Sequence, residues 1–310
     1  MAAPRILVVG SVNMDIVALV QRLPTPGETV TGGTLLINHG GKGANQAVAA
    51  RRLGADVRFI GCVGDDTFGP QLRQGLAAEG IGVDGLATLA GINSGTALIV
   101  VDAAGRNQIA VASGANTRLT VDWIARFAED IAWAQVVICQ LEVPLDTVLW
   151  TLHTARQQGA VTILNPAPAQ PLPPEIWPLV DYVTPNEIEA AHVSGLALSG
   201  PSAAGQVAQA LLARGPRMVV ILTLGEYGAF IATPDRMAHV PAFPVTAVDT
   251  TAAGDAFNGA LAVALSEGRP VELAVRFANA AAGLACTQPG AQNSLPVRVQ
   301  VDALLAAQPP

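Results

Sequence analysis

Two glycine-flanked segments hold the residue types that group-transfer chemistry needs. In Gly40-Gly-Lys-Gly-Ala-Asn45, bare backbone, an ammonium and a carboxamide stand together at the start of a helical pattern. Such a nest can hold hydroxyls or oxyanions, and it can equally be a tight turn ahead of a helix. It is not a P-loop, which needs four residues between its glycines and Ser or Thr after the lysine. Nor is it a dinucleotide fingerprint, because the third glycine position is Gln46. The lysine itself is unusual: of 17 basic residues in the chain, Lys42 is the only lysine. The second segment is Val248-Asp-Thr-Thr-Ala-Ala-Gly-Asp-Ala-Phe-Asn-Gly259, which runs into an Ala-rich helix. Small residues at Ala252, Ala253 and Gly254 leave the first amides of that helix open, and amides and macrodipole together favour an anion. Asp255, in the first turn, is placed to take a proton from an attacking alcohol. Thr250 or Thr251 would suffice to cap the helix, which makes the carboxylate at 255 surplus to capping.

Further segments carry weaker signals. In Thr184-Pro-Asn186-Glu187-Ile-Glu189, Asn186 and Glu189 stand three apart on one helical face. They could hold the waters of a magnesium ion, which keeps several waters and uses few carboxylates, or they could simply begin a helix. Thr223-Leu-Gly225-Glu-Tyr-Gly228 suits a hairpin or the close approach of a nucleotide. Asn13 and Asp15, after the first strand, suit the binding of sugar hydroxyls and would serve equally as turn residues. Glu142 stands in an apolar context, Gln140-Leu-Glu-Val-Pro144, where a buried carboxylate needs partners that ligand hydroxyls could supply. The histidines (His39, His153, His192, His239) show no metal spacing and receive no catalytic role.

The chain has 310 residues, 51% apolar, 4% aromatic and 13% charged, against about 25% charged in ordinary domains. The core is therefore aliphatic. A net charge of −7 with no basic cluster argues against a nucleic-acid surface. No window reaches the roughly 18 consecutive apolar residues that suggest a membrane span. A soluble, cytoplasmic protein with no membrane partner is expected. Cys62, Cys139 and Cys286 are odd in number and far apart, and read as reduced, buried thiols.

The elements that must position these groups alternate. Apolar runs at 5–10, 57–61, 135–140, 161–165, 182–184 and 218–224 read as buried strands. Helical patterns at about 44–53, 67–79, 122–131, 145–158 and 203–214 lie between them, and the C-terminal third reads as helical, strongest at 254–267 and 271–286. This order predicts an α/β fold with a central, mostly parallel sheet covered by helices on both faces. Residues 12–37 and 95–112 break the rhythm with β-branched runs (Thr29–Asn38, Thr96–Val101, Gln108–Ala112), the second folded about a turn at Asp102-Ala-Ala-Gly105. They predict a small separate β-sheet projecting as a lid over the carboxyl ends of the parallel strands, where such folds bind ligands.

Together the two glycine-flanked segments resemble the signatures of the ribokinase-like (PfkB) carbohydrate kinase family, over nearly the whole chain from Gly10 to about Pro296. Leu23-Pro-Thr-Pro-Gly-Glu-Thr29, Leu164-Asn-Pro-Ala-Pro168 and Gly290-Ala-Gln292 narrow the resemblance to its ribokinase branch rather than to fructokinases or adenosine kinases. The resemblance implies a Rossmann-like ribokinase fold forming one domain over 1–310, with the excursions at 12–37 and 95–112 as a β-lid that also makes a homodimer interface. It implies that Asn13, Asp15, Gly41, Lys42, Asn45 and Glu142 bind the sugar, that Asp255 is the general base and that Ala252, Ala253 and Gly254 form the anion hole. Asn186 and Glu189 match the motif that places Mg²⁺ and the phosphates. Thr223, Gly225, Gly228 and Asn279 match the adenine-nucleotide loops. Asp249, Thr251, Ala285, Gln288, Gly290 and Ser294 match a monovalent-cation site favouring K⁺. The chain departs from the family's habit at Gln288-Pro289, where basic residues are frequent, and at Asn293, where proline is frequent.

The implied reaction moves the γ-phosphoryl group of ATP to the 5-hydroxyl of D-ribose. The alternatives are a kinase of the same family for another sugar or nucleoside (2-deoxyribose, fructose, adenosine) and a catalytically silent sugar- or nucleotide-binding regulator. A Rossmann dehydrogenase is excluded, because its glycine fingerprint is missing.

Overall fold

The computed structural model describes residues 3–198, 201–215 and 217–308. Its strands are β1 (Arg5–Val9), β2 (Asn13–Leu19), β3 (Thr34–Gly40), β4 (Asp56–Gly64), β5 (Leu86–Leu89), β6 (Gly95–Val101), β7 (Asn107–Ala112), β8 (Val136–Cys139), β9 (Val161–Leu164), β10 (Tyr182–Val183), β11 (Val219–Thr223), β12 (Ala229–Ala232) and β13 (Met237–Val240). Its helices are α1 (Lys42–Arg52), α2 (Phe68–Ala78), α3 (Val121–Ala125), α4 (Ala128–Trp133), α5 (Leu145–Gln157), α6 (Glu187–Ser194), α7 (Pro201–Leu212), α8 (Ala253–Ser266), α9 (Val271–Ala285) and α10 (Arg298–Ala307). No helix among the described residues is long and apolar enough to cross a membrane.

Nine strands form one sheet in the order β13-β12-β11-β10-β9-β8-β1-β4-β5. From β11 to β5 every pairing is parallel, as the expected α/β fold requires, and β12 and β13 extend the sheet as an antiparallel hairpin. The strands are apolar throughout because both faces are covered. On β1, Ile6 and Val8 join a core with α1, α8 and α9, while Leu7 and Val9 join a second core with α5 and α7. The chain runs to one side of β1 through β4 and β5 and to the other through β8. The gap between β1 and β8 is therefore a topological switch point, where open α/β sheets bind ligands.

The two excursions pair with each other as expected. They form a separate four-stranded sheet, β3-β2-β6-β7, in which β2 lies parallel to β6 and antiparallel to β3. The turn between β6 and β7 closes at Asp102–Gly105 through Gly105 N donating to Asp102 O at 2.9 Å. The strand expected from Thr29 begins only at Thr34, and β5 was not foreseen. The helix expected over 122–131 is two short helices broken at Arg126 and Phe127. Beyond β11 the chain is α-helical only from Ala253, because Gly225 and Gly228 turn β11 into the antiparallel β12, the hairpin that Thr223–Gly228 suits, and β13 follows it. The thiols are free as expected, although Cys286 is only half-buried.

Candidate active site

Helix α1 begins against the turn that leaves β1, and its three glycines are there for contact. A Cβ on Gly41 would fall 2.7 Å from Asn13 N, one on Gly43 would fall 2.7 Å from Ser11 N, and one on Gly40 would overlap the Asp15 carboxylate. Gly41 also has φ 89°, a conformation that glycine adopts without strain. Three amides of this nest are already taken. Lys42 N donates to Glu142 Oε2 at 3.1 Å, Gly43 N to Ser11 Oγ at 3.3 Å and Ala44 N to Ser11 O at 2.9 Å. The amides of Lys42, Gly43 and Ala44 are therefore satisfied by the protein's own groups, which leaves the Gly41 amide and the side chains to meet a ligand. Ser11 Oγ in turn donates to Glu142 Oε2 at 2.5 Å, which links the ends of β1 and β8 across the switch point.

Helix α8 packs on α1 through Gly259, where a Cβ would stand 2.6 Å from Ala49 Cβ and 2.7 Å from Gln46 O. One turn earlier on the same face of α8 is Asp255. Asn45 Nδ2 donates to its Oδ2 at 2.9 Å and Gln46 Nε2 to its Oδ1 at 3.0 Å. The helix starts at Ala252, which has φ 60°, the only positive φ at a non-glycine among the described residues. No side chain caps it, although Thr250 and Thr251 are both of a type that could. Ala253 N is turned to Thr250 O at 3.2 Å, so the amides of Ala252, Gly254 and Asp255 are the ones free of a backbone partner. A Cβ at Gly254 would meet nothing within 4 Å. An uncapped helix start with open amides is a site for an anion.

One cavity gathers Lys42, Asn186, Glu189, Thr223, Ala252, Ala253, Gly254 and Asp255. Asn45 and Glu142 adjoin it through their hydrogen bonds to Asp255 and to Lys42 N. Asn45 Oδ1 is buried with no partner among the described residues. Asn13 Oδ1 accepts from Asn116 Nδ2 at 2.7 Å, and Asn116 also brackets the Val12 backbone. Asp15 is buried, and burial, reinforced by Glu142 and Asp255, pushes its carboxyl up to about 7. Burial likewise raises Asp255, against the pull of Lys42, Asn45 and Gln46, and raises Glu189. For Lys42, burial works to lower the pKa, but the carboxylates of Asp255, Glu142 and Glu189 outweigh it and hold the ammonium above its ordinary value. Three acidic side chains thus surround one cation, Asp15 stands beside two of them, and its buried carboxyl points to polar ligand groups as partners.

Asn186 and Glu189 form a full capping box at the start of α6: Asn186 Oδ1 accepts from Glu189 N, and Glu189 accepts from Asn186 N. Helix capping thus accounts for their spacing, and their place in the cavity is a separate fact. Asp249 ties two loops together, its carboxylate accepting from Thr251 N and Gly290 N at 2.9 Å each. These bonds hold its pKa below the ordinary value in spite of burial. Ser294 Oγ is spent on Ala291 O. Asn13, Asp15, Gly41, Gly225, Gly228, Asn279 and the Asp249, Thr251, Ala285, Gln288, Gly290 and Ser294 group are not in the cavity wall. Asn279 Nδ2 donates to Val240 O and Pro241 O, so its amide hydrogens shape the strand exit there. Sequence reasoning gave no role to Ser11, Gln46 and Asn116, which bond Glu142, Asp255 and Asn13, or to Asn165, which bonds Gln46; only Ser11 and Gln46 stand beside the motifs.

The sequence pattern of the pfkB family carbohydrate kinases matches residues 3–298. The ribokinase of Haemophilus influenzae is 41% identical over 291 residues, 94% of this chain and 95% of that one. The ribokinase of Bacillus subtilis is 42% identical over 301 residues, 97% and 99% of the two chains. The solved structure of an Arabidopsis thaliana ribokinase complexed with ribose and ATP superposes with TM-score 0.89 at 31% identity, covering 98% of this chain and 99% of that one. With its fold, its two glycine-flanked motifs and these relatives in agreement, the chain is a sugar kinase and belongs to the pfkB family of carbohydrate kinases.

Proposed function

We propose that this enzyme transfers the γ-phosphoryl group of ATP to the 5-hydroxyl of D-ribose, with Asp255 as general base. The observation that carries the reading is the meeting of Asp255, the uncapped start of α8 and the only lysine of the chain in one cavity. The hydroxyl proton passes to Asp255 as the oxygen attacks the γ-phosphorus, and the bond to the bridging oxygen breaks to release ADP. Phosphoryl transfer leaves a protein mainly positioning and charge stabilisation to perform. The open amides of Ala252 and Gly254 meet the developing charge, with Ala253 completing the turn that exposes them. Asn13, Asp15, Gly41, Lys42, Asn45 and Glu142 hold the sugar, whose hydroxyls supply the partners that Asp15 and Asn45 Oδ1 lack.

Thr223 lines the nucleotide end of the cavity, the turn at Gly225 and Gly228 lies beside the adenine, and Asn279 fixes the neighbouring strand exit. Asn186 and Glu189 present hard oxygen donors to the cavity and would hold Mg²⁺ through water; the ion supplies charge neutralisation of the phosphates. Asp249, Thr251, Ala285, Gln288, Gly290 and Ser294 would hold K⁺, mainly by backbone carbonyls, between two loops that the ionised Asp249 already joins.

The chain works as one unit over 1–310 in the cytoplasm, where ATP is available. The four-stranded sheet serves as a lid and as a homodimer surface. Its support is apolar exposure on both faces, Leu35, Ile37 and Leu98 on one and Leu36, Ile109 and Val111 on the other. Coupled ADP-release assays with ribose, 2-deoxyribose, fructose and adenosine test the reading. Ribose is expected to give the highest kcat/KM. A higher value for another acceptor would reassign the substrate, and thermal stabilisation by ligands with no turnover at all would overturn the catalytic reading.

A further inference from the structure

We propose that Gln46 is a positioning residue for the phosphoryl transfer: its amide, locked between Gln140 and Asn165, fixes the Asp255 carboxylate for proton acceptance. The proposal rests on the reading of Asp255 as general base. Gln46 lies on α1 and is fully buried. Its Nε2 donates to Asp255 Oδ1 at 3.0 Å and to Asn165 Oδ1 at 3.1 Å, and its Oε1 accepts from Gln140 Nε2 at 2.6 Å. Both amide protons and the carbonyl are therefore used. Turning the amide over would set its oxygen against two acceptors, so a single orientation is allowed.

The lock is anchored on the rigid sheet. Gln140 follows β8 and Asn165 follows β9, both at carboxyl ends of parallel strands. The space for Gln140 exists because residue 10 is glycine, where a Cβ would overlap Gln140 Oε1. From Asn165 the hydrogen bonds continue: Asn165 Nδ2 to Thr184 O at 3.2 Å, Thr184 Oγ1 to Asn258 Oδ1 at 2.6 Å, and Asn258 Nδ2 to Gly254 O at 2.8 Å. The chain thus starts at the Asp255 carboxylate and returns to the residue before it. Base and anion-facing backbone are held by one network, whose members are almost wholly buried.

Gln46 differs from its neighbour Asn45 in what it leaves over. Asn45 keeps Oδ1 unpartnered, whereas Gln46 has no polar atom to spare. Replacing Gln46 therefore disturbs the base without removing a sugar contact. The charged groups facing Asp255 are Lys42 from α1, Glu142 after β8, Asp15 from β2 and Glu189 from α6. Burial and the acidic neighbours raise the carboxyl, while Lys42, Asn45 and Gln46 hold it down. Loss of the Gln46 donor must move it further up.

The test is Gln46→Met, of similar shape and without a donor, assayed for kcat against pH, ribose KM and Tm beside wild type and Asp255→Asn. The expected result is a kcat about 10- to 100-fold lower, an acid limb of the pH profile shifted to higher pH, and a ribose KM within about threefold of wild type. A folded Gln46→Met enzyme with wild-type kcat and acid limb, beside an inactive Asp255→Asn, overturns the positioning role alone. An active Asp255→Asn overturns the base assignment beneath it. If Gln46→Met does not fold, Gln140→Met removes only the outer lock and is expected to shift the same two quantities in the same direction. A folded Gln140→Met enzyme with an unmoved profile then refutes the proposal.

Discussion

Asn45 Nδ2 donates to Asp255 Oδ2 at 2.9 Å across 210 positions of sequence. This one bond joins the two glycine-flanked motifs, and it forms because Gly259 lets α8 approach Ala49 and Gln46 on α1. The Asp255 carboxylate is thereby built on a helix–helix contact rather than on a loop.

Asp255→Asn keeps the shape of the side chain and removes its capacity as a base. We expect kcat to fall by about 10²–10⁴-fold with ribose KM changed little. Steady-state kinetics check this, and wild-type turnover would refute the role.

Glu142 has two jobs in the structure, since its Oε2 receives both Ser11 Oγ and Lys42 N. Glu142→Ala is accordingly expected to raise ribose KM and also to lower stability by about 1–3 kcal/mol, because two donors lose their acceptor. Kinetics and denaturant unfolding measured together separate the effects. A wild-type KM would count against the sugar contact.

Gly254 separates folding from function. Its missing Cβ would meet open space, so Gly254→Ala fits and is expected to leave Tm unchanged or to stabilise by about 0.4–1 kcal/mol. The added methyl projects where the phosphate would lie, so kcat or the KM for ATP should suffer. Calorimetry and kinetics on the same sample decide; unimpaired catalysis would displace the anion site from this turn.

Asp15 sets a pH dependence. Its carboxyl is raised from 3.8 to about 7, so between those values the folded state binds more protons than the unfolded one. Stability from this group is therefore present at low pH and is lost as pH rises toward 7, with a slope of at most about 1.4 kcal/mol per pH unit. His39, which burial lowers, acts in the opposite sense as pH falls, so the useful measurement is the difference from Asp15→Asn. Denaturant unfolding of the ligand-free enzyme from pH 5 to 7 should show wild type losing stability relative to that variant. Ribose affinity should run the other way, weakening below about pH 7 in wild type and staying flat in Asp15→Asn. Parallel curves for the two proteins would remove Asp15 from the sugar site.

The fold was legible where the signal was local. Uninterrupted apolar strands announced a sheet buried on both faces, and the two β-branched excursions announced a second sheet. The strands β12 and β13 were not legible, because each has only four residues, although Thr223–Gly228 did suit the hairpin turn that joins β11 to β12. At the site, the lysine between glycines and the surplus carboxylate were visible as types out of place. Their supports were not. Gln46, Asn116 and Asn165 are ordinary polar residues until packing buries them, and which amide meets which carbonyl depends on contacts 100 or more residues apart. Which amides at Gly40–Asn45 stay free was hidden for a related reason: Ser11 and Glu142 claim those of Lys42, Gly43 and Ala44 from outside the motif.

Asp15 and Asp255 stand on different bodies. Asp15 belongs to a strand of the four-stranded sheet, whereas Asp255 is moored to the helices and strand ends of the large one. On the proposed reading, a sugar that meets Asp15 as well as Lys42, Asn45 and Glu142 touches both bodies at once, so its binding ties the smaller sheet to the larger.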